Sequence, residues 1–150
     1  MFDKKCISNG IVSGVIAGIV LAFFIILGDM IETLGNLIHL PTKLGGMFVH
    51  FILSIIAGLI FALLLGKLVR SWWSATIIGL LFGLAVWLIV PMTLFSASLT
   101  KGSFFSKWNL AGIEENLPIL IGLIVYGLAL GLSYCFLKKG KLHKLKKPKI

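Results

Sequence analysis

Residues 9–27 read NGIVSGVIAGIVLAFFIIL, a run without a single charge in which a small residue returns every fourth position at Gly10, Gly14, Gly18 and Ala22. A helix needs about 20 predominantly apolar residues to cross the hydrocarbon core of a bilayer. Three more runs meet that length: Met47–Leu68, Trp72–Phe95 and Leu117–Leu137. In lipid every backbone N–H and C=O must be paired within its own segment or in a closed barrel. Apolar runs without alternation read as helices and not as barrel strands. The predicted fold class is therefore all-α, an integral membrane four-helix bundle. Its helices fall at about 9–27, 47–68, 72–95 and 117–137, within a transmembrane domain 1–137 followed by a basic tail 138–150. With 59% hydrophobic and 13% charged residues, a water-soluble fold of this chain would expose large apolar patches.

The charges are sorted by side. Lys4 and Lys5 precede the first span and Lys67 and Arg70 separate the second from the third, while Lys138, Lys139, Lys141, Lys144, Lys146, Lys147 and Lys149 follow the fourth. The opposite side holds Lys43, Lys101 and Lys107 together with Asp29, Glu32, Glu114 and Glu115. By the positive-inside rule both termini are expected in the cytoplasm. The net charge of +9 is thus a topology signal. The tail lacks interleaved aromatics, so nucleic acid is not an expected partner. Anionic lipid headgroups are, at about 1 kcal/mol for each lysine near the surface. The first apolar run is too long for a signal peptide and lacks a small-residue cleavage site, so it is expected to remain as a helix. Cys6 and Cys135 sit at the lysine-rich ends of their spans with no C-x-x-C pair, and are read as inert thiols.

The two halves of the chain echo one another. Shifted by 69 positions, Gly10, Gly14 and Gly58 fall on Gly79, Gly83 and Gly127, and Ile52, Ile55, Leu59 and Leu63 fall on Ile121, Ile124, Leu128 and Leu132. This predicts two tandem transmembrane hairpins, parallel and related by an axis along the membrane normal. Residues four apart share a helical face. The stripes Gly10–Gly14–Gly18, Ser54–Gly58–Ala62, Gly79–Gly83 and Gly127–Gly131 are therefore helix-packing faces, where backbones approach closely. They serve the interior of the bundle, a homo-oligomer seam, or both.

Polar residues gather on the lysine-poor side. If the first helix continues past Gly28, then Asp29, Glu32, Asn36 and His39 lie on one face. His50 enters the second span near its lysine-poor end, and Glu114 and Glu115 stand just before the fourth. These seven residues form a predicted polar vestibule with three readings. One is a solvated interfacial face with His50 capped or paired. Another is a proton- or cation-responsive site, His50 ionising near neutral pH beside Asp29 or Glu32. The third is a transition metal on His39, His50 and a carboxylate, although no H-E-x-x-H or E-x-x-H pattern occurs and the two histidines fall on different elements. No metal or other cofactor is expected. Pro91 is expected to bend the third span, and Trp87 to pack within it.

Gly10, Gly14 and Gly18, then Leu40-Pro41, His50, Gly58 and Phe61-Ala62, then Gly79, Phe82-Gly83, Trp87, Pro91 and Tyr126-Gly127-Leu128-Ala129-Leu130-Gly131 together give a pattern that resembles the small bacterial four-helix membrane proteins of the YagU-like kind. The resemblance implies an inner-membrane location and a four-helix fold, and brings no established biochemical activity. Its pattern implies a second histidine three residues before Tyr126, where this chain has Leu123. The function expected is that of a non-enzymatic inner-membrane component, an accessory, assembly or stress-related subunit packing with itself or with a larger complex. The alternative is a small-solute or ion permease gated by His50, Asp29 and Glu32.

Overall fold

The computed structural model describes residues 4–27, 31–95 and 104–145. Among these residues the protein is all helical, without strands. The elements are α1 (Lys4–Leu27), α2 (Ile31–Gly35, running into a 3-10 turn at Asn36–Ile38), α3 (Lys43–Ile60), α4 (Trp72–Ile89) and α5 (Leu110–Leu145). Four of them, α1, α3, α4 and α5, are long and apolar enough to cross a membrane.

Local chemistry sets the ends. Thr42 precedes α3, and its hydroxyl accepts from the Gly45 N–H at 3.1 Å. Ser71 and Ser74 form a reciprocal capping box at the start of α4, satisfying donors that the first turn cannot. Asn109 Oδ1 accepts from the Gly112 N–H at 2.8 Å and starts α5. At the far end of α3 the Lys138 ammonium of α5 donates to the carbonyls of Gly66 and Val69 at 2.9 and 2.7 Å. That places a cation where the helix dipole is negative and carbonyls lack partners.

Two helices widen before they end. α3 passes into a π-helical turn at Phe61–Leu65, and α4 into another at Val90–Phe95. Pro91 accounts for the second. It has no N–H to give the carbonyl four residues back and its ring crowds that turn, so the helix opens out. The Thr93 hydroxyl then donates to the Leu88 carbonyl at 2.8 Å.

Each predicted span overlies one of these four long helices, with different limits. α1 begins at Lys4 and α3 at Lys43, several residues ahead of 9 and 47. α5 runs over 36 residues, about 54 Å at 1.5 Å per residue. It takes in Glu114 and Glu115 before 117–137, holds Pro118 within it, and continues into the basic segment to Leu145. The remainder of the tail, and the start of the loop before Phe104, lie outside the described residues.

α1 packs against both α3 and α5, and α5 packs against both α1 and α4, so close contacts run in the order α3–α1–α5–α4. α2 folds back onto α3 and buries Ile31 and Leu34. No comparable packing joins α3 to α4. The interior is small and polar as well as apolar: Asn9, Ser13, His50 and Ser54 are buried, while Ile19, Phe23, Phe48, Leu64 and Leu81 are 59–72% exposed. Polar side chains inside and large apolar ones outside is an arrangement that lipid permits and water does not.

The α1–α3 and α4–α5 crossings have glycine on both sides. A Cβ on Gly14 would stand 3.2 Å from Ile55 Cα and against the Ser54 carbonyl, and one on Gly58 would stand 2.7 Å from Gly14 Cα. At the α4–α5 crossing, a Cβ on Gly83 would stand 3.3 Å from Ile124 Cα and against the Leu123 carbonyl, and one on Gly127 would stand 3.0 Å from Gly83 Cα. Each contact at one crossing has its counterpart 69 residues later at the other.

Candidate functional site

The space left between α3 and α4 is a cavity of about 420 Å³, within the ~300–1,000 Å³ range of small-molecule sites. One wall is α3, with His50, Leu53, Ser54, Ala57 and Ile60; the other is α4 and its widened turn, with Phe82, Ala85, Val86, Ile89 and Pro91. Leu21 and Ile25 of α1 and Ile119, Leu123 and Tyr126 of α5 form the back. Thr33 and Leu34 of α2 line the lysine-poor end. Toward the lysine-rich end the rings of Phe61 and Phe82 meet edge to face at 5.2 Å between centroids, and bridge α3 to α4.

The few polar groups of this lining are turned to backbone. His50 is 3% exposed, and its Nε2 lies 2.8 Å from the Gly18 carbonyl oxygen. A neutral imidazole with a proton on Nε2 donates there. Gly18 permits the approach, because a Cβ at that position would fall 2.9 Å from Ser54 Cβ. The Tyr126 hydroxyl donates to the Ser54 carbonyl at 3.1 Å, joining α5 to α3 across 72 residues of sequence. Trp87, on the other face of α4, donates from Nε1 to the Asn116 carbonyl at 3.0 Å. Each of these bonds couples two helices, and what remains toward the cavity is largely hydrocarbon, with the Thr33 and Ser54 side chains among it.

The predicted vestibule residues are distributed otherwise. Asp29 lies outside the described residues. Glu32 is exposed on α2, and Asn36 and His39 are exposed beyond it. The single helical face expected for these residues ends early, since Asn36–Ile38 is a 3-10 turn and His39 adopts a left-handed conformation at φ 56°. Glu114 and Glu115 are exposed on the first turns of α5, and Glu115 forms an ion pair with Lys107. His50 thus has a backbone carbonyl of α1 as its partner, inside the protein, while the described acids stand at its surface. Among the described residues no three His, Cys, Asp or Glu side chains are grouped as metal ligands would be.

Other residues acquire roles that the sequence reading did not single out. Ala57 and Ala85 leave the cavity its width. Lys138 caps α3. Cys6 lies with its Sγ 3.3 Å from the Ala62 carbonyl and 3.4 Å from the Tyr134 hydroxyl, and a Cβ on Gly66 would collide with that hydroxyl. A signal for Ala57 was present in the repeat: at the 69-residue shift it stands opposite Tyr126, an exchange of the largest fully buried side chain for a methyl group. Comparison of the chain with protein-family models, with curated proteins and with solved structures gave no match.

Proposed function

We propose that this chain is a non-enzymatic, multi-pass component of a bacterial inner membrane, an accessory or assembly subunit with both termini in the cytoplasm. Its four long helices form a bundle of two duplicated hairpins, α1 with α3 and α4 with α5. The observation that carries the reading is how the buried polar side chains are used. His50, Tyr126 and Trp87 each bond a backbone carbonyl of a neighbouring helix, which makes them fastenings between helices. The matching glycine contacts 69 residues apart support the duplication. The lysine distribution supports the orientation, and the resemblance to YagU-like proteins supports the inner membrane. The largely apolar outer faces of α1, α3 and α4 are available to lipid or to a partner within the membrane. Affinity purification from native membranes in mild detergent is expected to retrieve a stoichiometric membrane partner or a homo-oligomer. Repeated recovery of the bare single chain would count against the subunit role.

The cavity beside His50 favours a second reading, a permease for a small solute or ion. Vesicles containing the protein would then show a pH-dependent flux that His50→Ala alters, and a flux no different from empty vesicles would remove it.

A further inference from the structure

The duplication proposed above makes a demand on packing that the structure meets on only one side. Under the 69-residue shift α1 corresponds to α4 and α3 to α5, so the α1–α5 contact should recur between α4 and α3. The first is filled: Ala17 and Leu21 of α1 belong to one buried cluster with Leu123, Tyr126 and Leu130 of α5. Its counterpart is the open cavity of about 420 Å³. The cause lies in the sequence. Ala57 replaces Tyr126 on the α3 wall, and Ala85 faces the same space from α4.

We propose that this opening is a binding site for one hydrocarbon chain of a bilayer phospholipid, which takes the place of the missing helix contact. The inference rests on the bilayer placement of the four helices. The lining asks for an apolar guest: apart from Thr33, His50, Ser54 and Tyr126 its side chains are hydrocarbon, and the His50 Nε2 and the Tyr126 hydroxyl are bonded to the Gly18 and Ser54 carbonyls. The ends set its shape. Phe61 and Phe82 bridge the walls at one end, and α2 stands at the other with Thr33 and Leu34. A helix of a second copy is about 10–12 Å across and needs a groove open along its length. A flexible chain of methylenes needs only the lateral gap between α3 and α4, whose rim residues Ile56, Ile60 and Ile89 are 45–56% exposed.

The test uses the full chain in phosphatidylcholine–phosphatidylglycerol vesicles containing a phosphatidylcholine with a diazirine midway along one acyl chain. After irradiation, mass spectrometry locates the adducts. Ile56, Ala57, Ala85 and Ile89 are expected to carry about tenfold more label than the outward-facing Ile19 and Phe23, the ratio that a preference of about 1.4 kcal/mol gives. The double variant Ala57→Leu, Ala85→Leu should lower the wall labelling to the outer-face level and leave Ile19 and Phe23 unchanged. Ala57→Val, a milder filling, should give an intermediate value. Equal labelling of walls and outer faces in the unaltered protein overturns the site without reference to any variant. Walls shielded from lipid in a protein that a bifunctional amine-free photo-reagent also cross-links to a second copy through α3 or α4 overturn it in favour of self-association. Release of the protein from the vesicles by alkaline carbonate would instead overturn the bilayer placement, and the site with it.

Discussion

Gly14 has nothing with which to hold the Ser54 carbonyl away, and a single added carbon there would meet that oxygen at 2.5 Å. Overpacking of a well-packed contact costs about 1–3 kcal/mol, and here the obstacle is rigid backbone on both sides. Gly14→Leu is therefore expected to lower resistance to denaturant in detergent by at least about that amount, and Gly83→Leu should do the same at the other crossing. A loss at only one of the two would break the equivalence of the two crossings. His50 and Tyr126 act in the same range through hydrogen bonds. Polar contacts between membrane helices are worth about 0.6 kcal/mol on average, reaching about 1.7. Tyr126→Phe removes the bond to Ser54 and keeps the ring, so its unfolding free energy should fall by about 0.5–1.5 kcal/mol. A Tyr126→Phe protein as stable as the parent would show that the bond contributes nothing.

Among the elements, the ends of α3 and α4 depend on side chains supplied in two different ways. Ser71 and Ser74 cap α4 from within its own first turn, and loss of such a cap costs about 0.5–2 kcal/mol. Lys138 caps α3 from a separate helix. Lys138→Met keeps the apolar stem and discards the charge, so it should cost about 1–2 kcal/mol and free the end of α3 for faster amide exchange at Leu68–Arg70. Unchanged exchange there would remove the cap from the account. Much of this level was legible in the sequence. Four uninterrupted apolar runs give four helices, Pro91 marks the place where α4 widens, and four-residue spacing names the glycines that meet at the crossings. The limits of α1, α3 and α5 were less legible. Lys4, Lys43 and Lys141 tolerate helix as readily as loop, and hydropathy reports the width of the oil, not the last hydrogen bond. The cavity was hidden for another reason. Ala57 and Ala85 read as ordinary small residues, and only the pairing of α1 with α5 shows that their counterparts are not small.

For the molecule as a whole, an even number of crossings and the lysine-rich ends make one statement about orientation. Tags at Met1 and at Ile150 should both resist external protease in intact spheroplasts and be cut after lysis. Tags found on opposite faces would contradict the four-span topology at once. Replacing Lys138, Lys139, Lys141, Lys144, Lys146, Lys147 and Lys149 by Gln should produce a measurable fraction of inverted protein, since loop lysines and arginines set direction.

α5 is made after α1, α3 and α4, yet α1 and α4 both lean on it, α3 is capped by its Lys138, and the Ser54 carbonyl accepts from its Tyr126. Until translation passes Lys138 the nascent product is therefore α1 packed on α3 beside an α4 whose Gly79 and Gly83 have nothing to meet. A ribosome stalled near Leu117 would leave a membrane-embedded stump that quality-control proteases recognise, and pulse–chase of such a truncation should show turnover far faster than that of the finished protein.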